Sequence, residues 1–189
     1  PYIERMMLGE SDVLWSGKVK WFAKSSGTTS DQSKYIPVSK TNLKKCHIRG
    51  TWDTMNLFYH NRPNARQFEC KSLLMGGSLD SFDTYPETLI GDVSAIMIEN
   101  MPYIGRPFFT PDIEIATMPK FDEKLERMAQ ITSKEKDLVM IGGVPTWTMV
   151  FLDRILELTG KKDMSEVWPD LEVYIHGGVS FEPYREQFH

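Results

Sequence analysis

Cysteine is scarce in this chain: among 189 residues only Cys46 and Cys70 occur. Two cysteines are too few for a disulfide framework, and neither has a neighbour at zinc-site spacing, so a reducing, cytoplasmic setting is the simpler expectation. An excess of positive charge is missing as well. With 22 Lys and Arg against 26 Asp and Glu the formal charge is −4, and the two signs read as scattered, which gives no support to a nucleic-acid partner. Long apolar runs are absent: the longest apolar-leaning segment, VPTWTMVFLDRIL, is interrupted by Asp153 and Arg154, so no membrane association is expected. The start, PYIERMMLGES, lacks both an initiating Met and the cationic stretch plus apolar block of a signal peptide. The other end, FEPYREQFH, stops within what reads as the first turns of a helix, without a capping glycine. The expectation is a portion of a longer protein. There is no internal repeat and no low-complexity tract.

What is present is an alternation of short apolar runs with helical patterns. Val19-Lys20-Trp21-Phe22-Ala23 and Tyr35-Ile36-Pro37-Val38 have strand character, with Pro37 marking an edge or a strand end. Ser39 is placed to cap a helix running through Lys44 and Trp52 towards Tyr59, stopped by the turn Asn61-Arg62-Pro63-Asn64. Three further runs end in paired glycines: Ser72-Leu73-Leu74-Met75 before Gly76-Gly77, Asp137 to Ile141 before Gly142-Gly143, and Leu171 to His176 before Gly177-Gly178. Such runs, separated by helical segments, predict buried strands of an α/β sheet with open backbone at their ends, where ligands dock in sheets of this kind.

The intervening helices have readable faces. Phe121, Leu125 and Met128 form one apolar stripe, with Asp122, Glu123, Lys124 and Glu126 expected on a solvated face. Trp147, Val150, Phe151, Ile155 and Leu158 form a second stripe, ended by Gly160. Both stripes read as core. Trp147 and Met149 also follow a strand exit, so bordering an acyl pocket is the alternative use of each. His176 falls at a strand end and reads as a structural histidine, and His47, His60 and His189 show no ligand spacing.

Between the first two strands lies SSGTTSDQSK, residues 25–34, which is rich in hydroxyls around one glycine and closes on a lysine. Consecutive N–H groups in a glycine-containing turn make a concave donor array, Ser and Thr hydroxyls add donors, and Lys34 adds a mobile positive charge, so the loop suits a polyphosphate. It is not a Walker A loop, because Ser33 rather than glycine precedes Lys34 and Tyr35 follows it. On composition alone a solvated hairpin turn is the other reading.

SSGTT followed by SxxSKxxP resembles the phosphate-binding signature of adenylate-forming enzymes, in the version carried by the GH3 family of acyl-acid amido synthetases, the auxin-responsive promoter type. The segments GGVPTW, EVWPDL and HGGVSFEPYR are similar to the same family, in the family's order. The resemblance implies an α/β fold with mixed sheets flanked by helices, residues 1–189 being part of a large N-terminal adenylation domain and a small C-terminal domain lying outside the chain. It implies that ATP and a small carboxylic acid give an acyl-adenylate, commonly with Mg²⁺, and that an amine such as an amino acid then takes the acyl group. Transfer to coenzyme A instead, or a binding protein that keeps the fold without turnover, are the alternatives. Ser25, Ser26, Gly27, Thr28 and Thr29 match the family's phosphate loop and Lys34 its trailing lysine. Gly177, Gly178 and Val179 match the adenine side, where a flat ring can lie on bare backbone against an apolar wall. The loop departs from the wider superfamily at Ser30, where glycine is usual, and at Ser33, where proline is usual. The metal-holding glutamate and the ribose-binding aspartate of the family are expected beyond His189.

Overall fold

The computed structural model describes residues 1–25 and 34–188. In chain order its elements are α1 (Tyr2–Met7), β1 (Trp21–Lys24), β2 (Tyr35–Val38) and α2 (Lys40–Asn42), which runs through a π-helical stretch (Leu43–Ile48) into α3 (Arg49–Asn61). There follow β3 (Lys71–Leu74), β4 (Leu79–Phe82), β5 (Tyr85–Gly91), α4 (Val93–Glu99), a 3-10 helix (Tyr103–Phe108), β6 (Phe109–Thr110) and α5 (Ile113–Ala116). The chain ends with α6 (Phe121–Thr132), β7 (Leu138–Gly143), α7 (Pro145–Thr159), α8 (Met164–Val167), β8 (Val173–His176) and a second 3-10 helix (Glu182–Phe188). These elements divide into two compact units, Pro1–Pro63 with Gly77–Met101, and Asn64–Gly76 with Pro102–His189.

The first unit holds a sheet in the order β2-β1-β5-β4. β1 runs antiparallel to β2, with Trp21 opposite Val38 and Lys24 opposite Tyr35, and parallel to β5. Pro37 therefore sits on an edge strand, the position where a missing N–H is tolerated. Successive residues of β1 point to opposite faces. Phe22 packs with Met6 and Met7 of α1, Val19 and Ile90. Ala23 packs with Val38, Leu43 and Ile96 on the other side. The helix after β2 starts where the sequence places it: the Asn42 N–H donates to Ser39 Oγ at 3.1 Å. Its π-helical stretch has no counterpart in the sequence reading.

The second unit holds a parallel sheet in the order β6-β3-β7-β8. The three runs that end in paired glycines are thus adjacent strands. β6 to β7 and β7 to β8 are crossovers in the same direction along the sheet, so the right-handed rule puts α6 and α7 on one face. There Met128 and Ala129 of α6 and Phe151, Leu152 and Ile155 of α7 pack over Leu73, Leu138 and Ile141. Trp168 is buried among them, and its indole N–H donates to the Thr132 carbonyl at 3.2 Å.

The predicted stripe on α7 is corrected in part. Phe151 and Ile155 are buried, but the stripe closes through Thr148 and Leu152, whereas Trp147, Val150 and Leu158 are 50, 45 and 39% exposed. Positions 148, 151, 152 and 155 make one narrow line at helical spacing, and Trp147 and Val150 fall to its flank. Gly160 ends α7 at φ 64°, with its N–H on the Leu156 carbonyl, as the sequence indicates. α6 carries a second correction. Lys124 is only 5% exposed, and its ammonium donates to the Gly76 carbonyl at 2.9 Å. It stands three residues after Phe121 and four before Met128, which is the inward face, and its long stem carries the charge to a carbonyl at the exit of β3.

Candidate functional site

In the first unit the described part of the site is the neck of the Ser25–Lys34 loop. Beyond the last pair of the hairpin, the Ser25 N–H donates to the Lys34 carbonyl at 2.9 Å, and the Lys34 N–H donates to Ser25 Oγ at 2.9 Å. Two reciprocal bonds therefore fasten the chain where it leaves β1 and where it enters β2. A serine hydroxyl accepts in this way while keeping one proton to donate. The Lys34 side chain is exposed. Ser26, Gly27, Thr28 and Thr29, the other candidate phosphate contacts, lie outside the described residues.

In the second unit the candidates lie at the carboxyl edge of the parallel sheet, where Leu74, Gly142 and Ile175 stand side by side in register. The chain leaves β7 towards β8, whereas β3 has β6 on its opposite side, so connections on either side of this pair diverge. A crevice outside strand ends is characteristic of such a divergence. Close packing explains one glycine here: a Cβ on Gly143 would lie 2.7 Å from Thr148 Oγ1 and 3.0 Å from Met75 Cβ. The Tyr174 hydroxyl donates to the Gly143 carbonyl at 2.9 Å, and burial pushes its pKa up.

Gly177, Gly178 and Val179 follow β8 and are all exposed. A Cβ on Gly177 would meet nothing within 4 Å, which is the bare surface a flat ring requires. Gly178 differs, because its φ of 84° favours glycine whatever the space, and a Cβ there would also come within 3.2 Å of Val144 Cγ2. Val179 is 45% exposed. His176 stacks on Phe181 with ring centroids 4.2 Å apart, and Tyr174 stacks on Phe188 at 4.6 Å. His176 thus packs as a structural ring. At the amino ends of α6 and α7, Phe121 and Trp147 have centroids 4.6 Å apart.

The predicted residues fall into two groups, Ser25 and Lys34 in one unit and Gly177, Gly178 and Val179 in the other. Among the described residues no three His, Cys, Asp or Glu side chains gather as metal ligands do, and no helix is long and apolar enough to cross a membrane. The charge distribution needs correction as well. Between Lys18 and Arg49 stand eight of the 22 Lys and Arg residues, Lys18, Lys20, Lys24, Lys34, Lys40, Lys44, Lys45 and Arg49, against Asp31 alone of the 26 acids. A running charge count along the sequence reveals this block, which whole-chain totals conceal.

The two sheets with flanking helices define an α/β protein whose fold is that of GH3 adenylate-forming domains. It resembles a solved structure described as "AtGH3.15 acyl acid amido synthetase in complex with 2,4-DB", with a TM-score of 0.61 and 16% identity over 82% of this chain and 27% of that one. It also resembles a second, "GH3.15 acyl acid amido synthetase", with a TM-score of 0.65 and 11% identity over 99% of this chain and 42% of that one. The chain thus spans less than half the length of either. The model of the GH3 family N-terminal domain matches residues 1–125 and 79–189, and the chain belongs to that family. A search of curated protein sequences found no match.

Proposed function

We propose that this chain is the phosphate-loop portion of an ATP-dependent acyl acid amido synthetase, which activates a small carboxylic acid as its acyl-adenylate and passes the acyl group to an amine such as an amino acid. The observation that carries the reading is the fastened neck at Ser25 and Lys34, which ties together the two ends of the hydroxyl-rich segment. Membership of the GH3 family supports it, as does a structural relative whose description pairs it with the acyl acid 2,4-DB.

In this reading Ser25, Ser26, Gly27, Thr28 and Thr29 present N–H and O–H donors to the ATP phosphates, and Lys34 adds a positive charge. Charge shielding of this kind lets a carboxylate approach the α-phosphorus, and donors fixed in advance do it without reorganisation. The open face at Gly177 holds the purine, with Val179 beside it. Mg²⁺, when bound, supplies further charge neutralisation. A small C-terminal domain outside this chain and a cytoplasmic location belong to the same proposal.

The test is acid-dependent exchange of pyrophosphate into ATP by the full-length protein, followed by product analysis with amino acids and with coenzyme A. Acid-dependent exchange with amide formation supports the reading. Thioester formation would move the protein to the coenzyme A ligases, and absence of exchange across a broad acid panel would point to a binding protein that keeps the fold.

A further inference from the structure

The block from Lys18 to Arg49 is out of proportion to the chain that carries it. Outside it 14 cations face 25 acids, so the remainder is strongly negative while this one segment is strongly positive. All eight of its cations are exposed. Among the described residues Lys18 pairs with Glu87 and Arg49 with Asp53, but no carboxylate lies within ion-pair distance of Lys24, Lys40, Lys44 or Lys45. Among the described residues those four carry no ion-pair partner, and all lie in one unit.

Their placement follows from the fold. Lys24 is the last residue of β1, next to Ser25 at the neck. Lys40, Lys44 and Lys45 lie on the helix that starts after β2, and a rise of about 1.5 Å per residue puts them within roughly 8 Å along its axis. Leu43, between them, packs against Ala23 and Val38 of the hairpin that carries the loop. The helix is therefore pinned beside the loop's own strands.

We infer that Lys24, Lys40, Lys44 and Lys45 form a cationic apron that captures nucleoside triphosphate from solution and delivers it to the loop, so that nucleotide arrival is electrostatically driven. The inference rests on the synthetase reading for the identity of the anion. Surface charge of one sign around a site raises the association rate of an oppositely charged ligand by about 10- to 1,000-fold, and the gain falls steeply with salt. The screening length of about 8 Å at physiological ionic strength matches the spread of the lysines on the helix.

The experiment is stopped-flow binding of a fluorescent ATP analogue to the full-length protein, from about 0.02 M to about 0.5 M salt, a range over which the screening length shrinks several-fold. The variant Lys40→Gln/Lys44→Gln/Lys45→Gln is compared with Lys136→Gln/Lys161→Gln/Lys162→Gln, which removes the same charge from exposed positions outside the block. The first variant is expected to associate about 3- to 10-fold more slowly at low salt, with unchanged dissociation and unchanged kcat, the difference vanishing at high salt. The second is expected to match the parent. Equal rates and salt slopes in all three proteins would overturn this inference alone. Steered binding without acid-dependent exchange would overturn the synthetase reading alone, and a parent that binds no nucleotide would overturn both.

Discussion

Ser25 and Lys34 hold each other twice, N–H to carbonyl and N–H to side-chain hydroxyl, each at 2.9 Å. The first bond needs only backbone and survives any substitution at residue 25 other than proline, which has no N–H. The second needs the hydroxyl. Replacing Ser25 with alanine is therefore expected to cost about 0.5–1.5 kcal/mol of stability and to lower the specificity constant for ATP, while threonine at the same position retains most of both. Chemical denaturation and exchange kinetics on the two full-length variants check it.

Valine at both Thr28 and Thr29 keeps the shape of the side chains and removes two hydroxyls. If these hydroxyls donate to phosphate, ATP–pyrophosphate exchange falls by at least ~10-fold, since one charge-assisted hydrogen bond is worth about 1.5 kcal/mol or more. Unchanged exchange in a folded double variant would remove the loop from the site.

Gly177 and Gly178 are adjacent, yet substitution is expected to separate them. Alanine at Gly178 is forced into a left-handed backbone at φ 84° and destabilises the fold by about 1–2 kcal/mol. Alanine at Gly177 meets open space, so its melting temperature matches the parent, and only the Michaelis constant for ATP rises if a purine covers that surface. An unchanged Michaelis constant for the Gly177 variant would leave the segment a strand-to-helix junction.

Lys124 offers a test of the second unit's edge. Methionine at this position keeps the stem and removes the donor to Gly76, and a loss of about 1–3 kcal/mol is expected from the desolvated carbonyl left behind. Urea denaturation reads the loss as a lower midpoint at unchanged slope.

The contact between α6 and α7 is pH-dependent in a predictable direction. Its hydrogen bonds from Arg154, and then from Gln130, hold the Glu126 carboxyl below the usual carboxylate range. A depressed folded-state pKa contributes stability above the unfolded value of about 4.3, and that contribution is lost as pH falls through the folded value. The stability difference between the parent and Glu126→Gln is therefore expected at neutral pH, to shrink as pH falls below the unfolded value of about 4.3 and to vanish once pH has passed the folded value. A difference that persists in acid would assign the effect to packing.

The parallel sheet was legible because each of its runs Ser72–Leu74, Leu138–Ile141 and Val173–His176 is short, apolar and ends on paired glycines. The Ser39 cap and the Gly160 stop were legible for the same local reason, since each depends on residues within one turn. Lys124 was not. A charged side chain on the inward face looks like solvated surface until the carbonyl it reaches, 48 positions earlier in the chain, is brought to it by the fold. The misreading of Trp147 and Val150 has a related cause: periodicity gives the width of an apolar face but not which line within it meets the sheet. Ser25, Lys34 and Gly177 were picked out by motif and composition, whereas the φ of Gly178 belongs to backbone geometry that no residue pattern states.

Each unit is built from two separated lengths of chain, joined at Pro63–Asn64, Gly76–Gly77 and Met101–Pro102. Synthesis on the ribosome therefore delivers β3 long before the strands that flank it. Lys71 is made well ahead of Leu138, its neighbour in the sheet, and in between the chain must supply β4, β5 and α4 to the other unit. Contacts so distant in sequence form late, and an apolar strand that waits for partners is exposed to wrong ones. The nascent chain completes the loop-bearing unit first, once α4 has emerged, and holds β3 unpaired on both edges until β6 and then β7 arrive.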